Sequence, residues 1–316
     1  LRSLVGSEMC IRDRRFSLHP VCTIEATIPP GPFFAKSRLP ESCLVAVSTW
    51  DTSASLFSYL DALIDEPPKW LNNPITGDQV ASKLHPWWKI SDFDNSVGDI
   101  KLIWEQSRMN WVVAFAQRAR NGDEKSLKRL NFWLSDWIES NPPYLGPNWK
   151  CGQEASIRVM HLCSAALILG QERDSLLGLQ ELIRLHLRRI APTIHYAIAQ
   201  NNNHGTSEAA ALFIGGSWLV DSGAPDGVKY EKLGRRWLDN RARELIEEDG
   251  SFSQYSLNYH RMVLDTFSIT EIWRRRIGRD RLSAMFYDRA SRATSWLHQL
   301  VCPLSGCLLY TSDAAD

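Results

Sequence analysis

Three amides, an imidazole and a glycine occupy positions 201–205 as Asn201-Asn202-Asn203-His204-Gly205, and a phenol with a second imidazole follows at Tyr259-His260. These groups suit proton abstraction beside a carboxylate. An amide or imidazole donor can neutralise the carboxylate of a uronic acid, and a phenol can take or return a proton at the neighbouring centre. A free phenol titrates at ~10, so a working tyrosine needs positive charge beside it. His204, His260 and Arg261 are the candidates to supply that charge. Consecutive Asn residues suit a helix N-terminus better than a helix interior. Capping alone therefore accounts for any single Asn here as readily as chemistry does. The helix that follows is small on one side (Ala209, Ala210, Ala211, Gly215, Gly216), which permits close packing. Its electropositive end favours a carboxylate ligand.

Further polar groups lie upstream. Glu154, Arg158 and His161 fall at i, i+4 and i+7 and form one stripe of a helix. As an exposed Glu–Arg pair this is worth only a few tenths of a kcal/mol. As a cleft wall, Arg158 could grip a carboxylate through two N–H groups. Trp104, Glu105 and Arg108 form a similar group one hairpin earlier, and Trp149 sits on the loop Gly146-Pro147-Asn148-Trp149-Lys150. Arg274-Arg275-Arg276 reads as a solvated helix end. HExxH, GxSxG, Walker and GxGxxG patterns are all missing, which disfavours metalloproteases, common esterases and nucleotide enzymes. Neither a metal nor a cofactor is expected.

The elements that must hold these groups are helical. Apolar residues recur at three-and-four spacing over 99–120, 124–140, 153–169, 174–200 with a kink at Pro192, 206–220, 229–248, 258–276 and 280–300. A further helix is expected from Asp51 or Thr52 to Ile64, and a short strand near Cys43–Val47. Residues 66–98 read as a long aromatic-rich connection, a kind of segment that often carries function. Period-two alternation is nearly missing and no fixed repeat is visible. The expected fold is all-α, an α/α toroid of successive antiparallel helical hairpins rather than a regular solenoid.

Composition narrows the class. The chain has 316 residues, 44% hydrophobic and 23% charged, with Lys+Arg and Asp+Glu both 36. Zero net charge disfavours a nucleic-acid binder and leaves room for a local basic groove. No apolar run reaches the roughly 18 residues of a membrane span. Of the seven Cys, Cys10 and Cys307 fall in the adapter-like ends and the remaining five show no paired spacing, so neither a disulfide framework nor a zinc module is expected. Thirteen Trp is a high count, and most are assigned to the core. Residues 1–14 and 306–316 read as translations of sequencing adapters, leaving 15–305 as one helical domain. On that reading the natural protein continues past both ends. The compartment and oligomeric state stay open.

The ordered set Asp99-Ile100-Lys101, Trp104-Glu105-x-x-Arg108, Gly146-Pro147-Asn148-Trp149, Glu154-Ala155-Ser156-Ile157-Arg158, Asn202-Asn203-His204 and Tyr259-His260 resembles the N-terminal helical domain of heparinase II/III-type polysaccharide lyases, over roughly residues 60–300. The resemblance implies an incomplete α/α toroid that a C-terminal β-sandwich would follow, with the active site in the cleft between the two and a further histidine from the β domain. It implies Asn203, His204 and Tyr259 as catalytic residues, and Asn202, Trp149, Glu154, Arg158, His260 and Arg108 as substrate-binding residues. The implied reaction is β-elimination on an anionic, uronate-containing polysaccharide, in a periplasmic or secreted enzyme. Two alternatives stand beside it. One is a glycoside hydrolase on the same toroid, using two carboxylates among Glu154, Glu208 and Asp249. The other is a non-catalytic glycan-binding module.

Overall fold

The computed structural model describes residues 27–37, 39–40, 53–56, 60–63, 66–81 and 83–308. The strand expected near Cys43–Val47 lies outside the described residues. Within the helix expected over 51–64, the described residues instead form two antiparallel strands, β1 (Ser53–Leu56) and β2 (Leu60–Leu63), with Ser53 opposite Leu63. Ser side chains compete with a helix for its own backbone bonds, and this segment carries three. A second, two-residue pair, β3 (Phe93–Asp94) and β4 (Gly98–Asp99), closes the long aromatic connection.

From Lys101 onward the chain is helix after helix. The single helix expected over 99–120 is in fact two: α1 (Lys101–Gln106) and α2 (Asn110–Arg120). Between them Met109 takes a left-handed φ of 64°, which no continuous helix allows. The break is bonded in place. Trp137 Nε1 donates to Ser107 Oγ at 3.0 Å and Trp111 Nε1 to the Gln106 carbonyl at 3.3 Å. Arg108 sits at the break, its amide still bonded to the Glu105 carbonyl at 3.3 Å.

α3 (Glu124–Ser140) follows its sequence pattern closely. Asp123 caps it by accepting from the Lys125 and Ser126 amides. Leu130, Trp133, Leu134 and Trp137 form its fully buried stripe. α4 (Gly152–Leu169) stops at Gly170, whose φ of 70° suits a helix C-terminus. α5 (Leu177–Ile190) gives way at Pro192 to a single 3-10 turn (Ala191–Thr193) and then α6 (Ile194–Ala199), the kink the sequence implies.

α7 (Asn203–Asp221) is the axle of the molecule, packed against α4, α5, α6, α8 and α9. Sixteen of its residues are buried, from Asn203 through Leu219, so its sequence is apolar around the whole circumference. Its closest neighbour is α8 (Gly227–Leu245). Two glycines set that approach. A Cβ at Gly216 would lie 2.3 Å from the Glu231 nitrogen, and one at Gly234 would lie 2.2 Å from the Phe213 nitrogen. α9 (Leu257–Ile277) and α10 (Ala284–His298) complete the set.

Among the described residues nine Trp are buried, so the tryptophans serve mainly as core. Trp70, Trp111, Phe115 and Trp133 form one cluster with centroids 5.0–6.2 Å apart. The run at 274–276 is more engaged than a solvated end: Arg274 and Arg275 pair with Glu271, and Arg276 with Glu172. No described helix is long and apolar enough to cross a membrane.

Candidate functional site

The N-terminus of α7 presents the amide–imidazole motif. Asn202 is the N-cap, its Oδ1 accepting from the His204 amide at 2.9 Å. Asn201 stands just before it at φ 50°, its Oδ1 accepting from Arg241 Nη1 at 3.0 Å. Asn203 begins the helix and reaches across to the next elements. Its amide N–H donates to Gln254 Oε1 at 2.8 Å, and its Nδ2 donates to Met262 Sδ at 3.2 Å. Met262 lies three residues after Tyr259 on α9, so the two share a face of that helix. The structure thus brings the Asn203 carboxamide to the turn of α9 that bears the phenol. Tyr259 is 40% exposed, so its ring borders solvent.

His204 is half-buried. Burial lowers its basicity, and the charge of Glu154 pulls the other way. It is therefore a neutral imidazole at neutral pH, a donor without a formal charge. Glu154 reaches this neighbourhood from the first turn of α4. Its carboxylate is nearly buried and takes a forked pair of bonds from Arg108, Nε at 2.8 Å and Nη2 at 3.0 Å. Arg108 also pairs with Glu105. Burial works against the Arg108 charge, but the bonds and charges of Glu154 and Glu105 outweigh it and hold the guanidinium firmly ionised. The Arg108 carbonyl is 2.6 Å from His161 Nδ1. The stripe Glu154–Arg158–His161 is therefore not an ion pair along one helix: Glu154 and His161 both answer to Arg108.

Arg158 departs from expectation. Its side chain is fully buried, with Nε donating to His186 Nε2 at 2.8 Å and Nη2 to the Asn148 carbonyl at 2.7 Å. It lies 5.1 and 5.6 Å from the Trp137 and Trp149 ring centroids. Burial drops its pKa to about 10. Trp149 is equally buried, its Nε1 bonded to the Asn141 carbonyl at 3.0 Å. His260 has 1% exposure, with Nε2 2.8 Å from the Ala293 carbonyl and its ring stacked on Trp296 at 4.8 Å. All three side chains are sealed from solvent, which departs from the substrate contact expected of them; Trp149 and His260 are held by internal partners, and Arg158 keeps one buried N–H group, Nη1, without a partner.

One residue of this region carried little weight in the sequence. Glu208 lies one turn beyond His204 on α7 and packs its carboxyl over Gly152, where a Cβ would come 2.5 Å from Oε1. Its Oε2 has no hydrogen-bond partner. Burial pushes its pKa up to about 8, with Arg189 opposing. Arg189 is buried below, donating from Nε to the Trp149 carbonyl at 2.6 Å and lying 3.5 Å over the Trp87 ring. The i, i+4 spacing from His204 was the signal that could have marked Glu208. Asp249 is fully exposed and holds its own turn through the Ser251 amide and hydroxyl. No group of three His, Cys, Asp or Glu able to hold a metal ion occurs among the described residues.

Comparison with known proteins agrees with this helical frame. No curated protein matches the chain. Two solved structures resemble it in fold: heparan sulfate lyase HepC from Pedobacter heparinus (15% identity, TM-score 0.53, covering 90% of this chain and 42% of that one) and a mutant of the same enzyme (17% identity, TM-score 0.55, covering 90% and 43%). This chain spans less than half the length of either. The shared architecture is the α/α toroid of their N-terminal domain, which confirms the all-α toroid. The family description "Heparinase II/III N-terminus" matches residues 69–307, well over half of the sequence, and the chain therefore belongs to the heparinase II/III family.

Proposed function

We propose that this chain is the helical half of a polysaccharide lyase that cleaves uronate-containing polysaccharide by β-elimination. The observation that carries the reading is the bond from Asn203 to Met262, which ties the capped amide of α7 to the α9 turn bearing Tyr259. Asn203 and neutral His204, at an electropositive helix end, donate to the uronate carboxylate. That removes the charge that would oppose a carbanion beside it. Tyr259 then makes one of the two proton transfers, removal from C5 or delivery to the departing C4 oxygen, and the histidine implied from the β domain makes the other. Asn202 holds the His204 backbone, while Arg108 and Glu154 set the field in which the imidazole sits. A hydrolase is disfavoured. It needs two carboxylates across a cleft, and Glu154 is locked to Arg108, Glu208 is buried, and Asp249 stands in open solvent.

The test uses the longest gene product carrying residues 69–307, incubated with heparan sulfate and with alginate. An unsaturated uronate product, seen by ultraviolet absorbance and lost in Tyr259→Phe, is the expected result. Saturated, water-added products would overturn the lyase reading. Full activity in Tyr259→Phe would remove the phenol from the chemistry.

A further inference from the structure

An open groove of about 610 Å³ lies between the C-terminal half of α8 and the start of α10, lined by Arg236, Trp237, Asn240, Arg243 and Met285, with Asp239 and Ser283 at its floor. Asp239 is occupied, accepting from the Ser283 amide at 3.2 Å and hydroxyl at 2.7 Å. Arg243 is exposed and shares its charge with Glu244 at 2.8 Å. Arg236 is exposed, with its guanidinium 5.2 Å from the Trp237 ring centroid. The Trp237 ring also lies perpendicular to His195 with centroids 5.4 Å apart, and its Nε1–H is buried with no acceptor. Buried donors without partners are uncommon and call for an explanation. Two exposed cations, an indole and a half-exposed Met285 make a surface that can hold an anion and a sugar's C–H face together.

The groove is also wired to the candidate site. Asn240 Oδ1 accepts from Arg241 Nε at 3.0 Å and Nη2 at 2.6 Å. Arg241 Nη1 in turn donates to Asn201 Oδ1 at 3.0 Å and to the Ile198 carbonyl at 3.1 Å. Asn201 is the residue before the N-cap of α7. α8 runs antiparallel to α7, so its C-terminal half lies beside the catalytic end rather than the far one.

We infer that this groove is a second subsite for an anionic oligosaccharide, separate from the Asn203–Tyr259 face and coupled to it through Asn240, Arg241 and Asn201. The inference rests on the reading of the chain as acting on anionic polysaccharide. A sulfate or carboxylate would lie between Arg236 and Arg243, with the sugar ring against Trp237 and Met285.

The experiment is calorimetric titration of the protein with a heparan sulfate hexasaccharide at low and moderate salt, beside the neutral maltohexaose. The double variant Arg236→Ala/Arg243→Ala is expected to melt as the wild type does and to bind about fivefold more weakly, with a smaller salt dependence. Asn203→Ala is expected to keep the binding that the arginine variant loses. Wild-type affinity in the double variant would overturn the proposal. So would no hexasaccharide binding by the wild type, equal binding of maltohexaose, or equal competition by single-stranded DNA. Loss of lyase product with this binding intact would count against the proposed reaction alone.

Discussion

Arg108 and Glu154, 46 residues apart in sequence, meet through two parallel bonds of 2.8 and 3.0 Å at the point where α1 breaks from α2. The Glu154 carboxylate is nearly sealed from solvent, so deleting its partner strands a buried charge. Arg108→Ala should therefore cost about 3 kcal/mol in denaturant unfolding. Arg108→Lys, which lacks the planar fork, should recover less than half of that. A loss below about 0.5 kcal/mol for the alanine variant would mean that the pair is solvated.

Glu208 should write itself into the pH dependence of stability. Its folded pKa of about 8 lies above the ordinary 4.5, so the fold favours the protonated acid. The stability that this contributes is complete below pH 4.5 and is lost as the pH climbs to about 8. Glu208→Gln keeps the shape and cannot ionise. Thermal melts from pH 5 to 9 should show the wild type declining relative to the variant across that window. Parallel curves would place the carboxyl in contact with water.

The histidines act in the opposite direction. Burial lowers the basicity of His161, His186, His204 and His260, so the fold holds all four neutral. Their contribution is intact above the ordinary value of ~6.5 and is lost as the pH falls below it. His260→Ala removes the stack on Trp296 and the bond to Ala293, and should cost about 2–3 kcal/mol at pH 7.5. Its acid destabilisation should also be shallower than that of the wild type, which urea titrations at pH 5 and 7.5 would measure.

The α7–α8 contact is a backbone contact. Gly234→Ala puts a methyl 2.2 Å from the Phe213 nitrogen, a distance that side-chain rotation cannot relieve. It should destabilise the fold by about 3 kcal/mol or leave it insoluble. Gly223→Ala is the control: nothing lies within 4 Å of that position, and only its φ of 80° is strained. Equal melting of the Gly234 variant and the wild type would show that the two helices stand further apart.

Helices with a single apolar face were legible in the sequence. α3 ends where its stripe and Asn141-Pro142 say it must, and the Pro192 kink falls in place. The break at Met109 was not legible, because no glycine or proline marks it. It is imposed by indole bonds from α3 and from α2 itself, and those are tertiary. The strand pair within 53–63 was hidden because its leucines also fit a helix face. At the site, the order of Asn203, His204 and Tyr259 could be read from residue types. The fates of Arg158, Trp149 and His260 could not, since a polar stripe looks the same whether it faces solvent or a core lined with indoles. Glu208 was underweighted for the same reason: a carboxyl in an apolar helix gives no sign of what covers it.

The enclosure of α7 has a consequence for how such a protein can diversify. Substitution within the axle disturbs five neighbouring helices at once, so its interior has little freedom to drift. Its leading end is bordered by short connecting chain: 200–202 on one side and 253–256 on the other. Those segments can change length and character without touching the hydrocarbon behind them. Under the proposed function, new sugar preferences would be acquired at that rim while the helix behind it stays put.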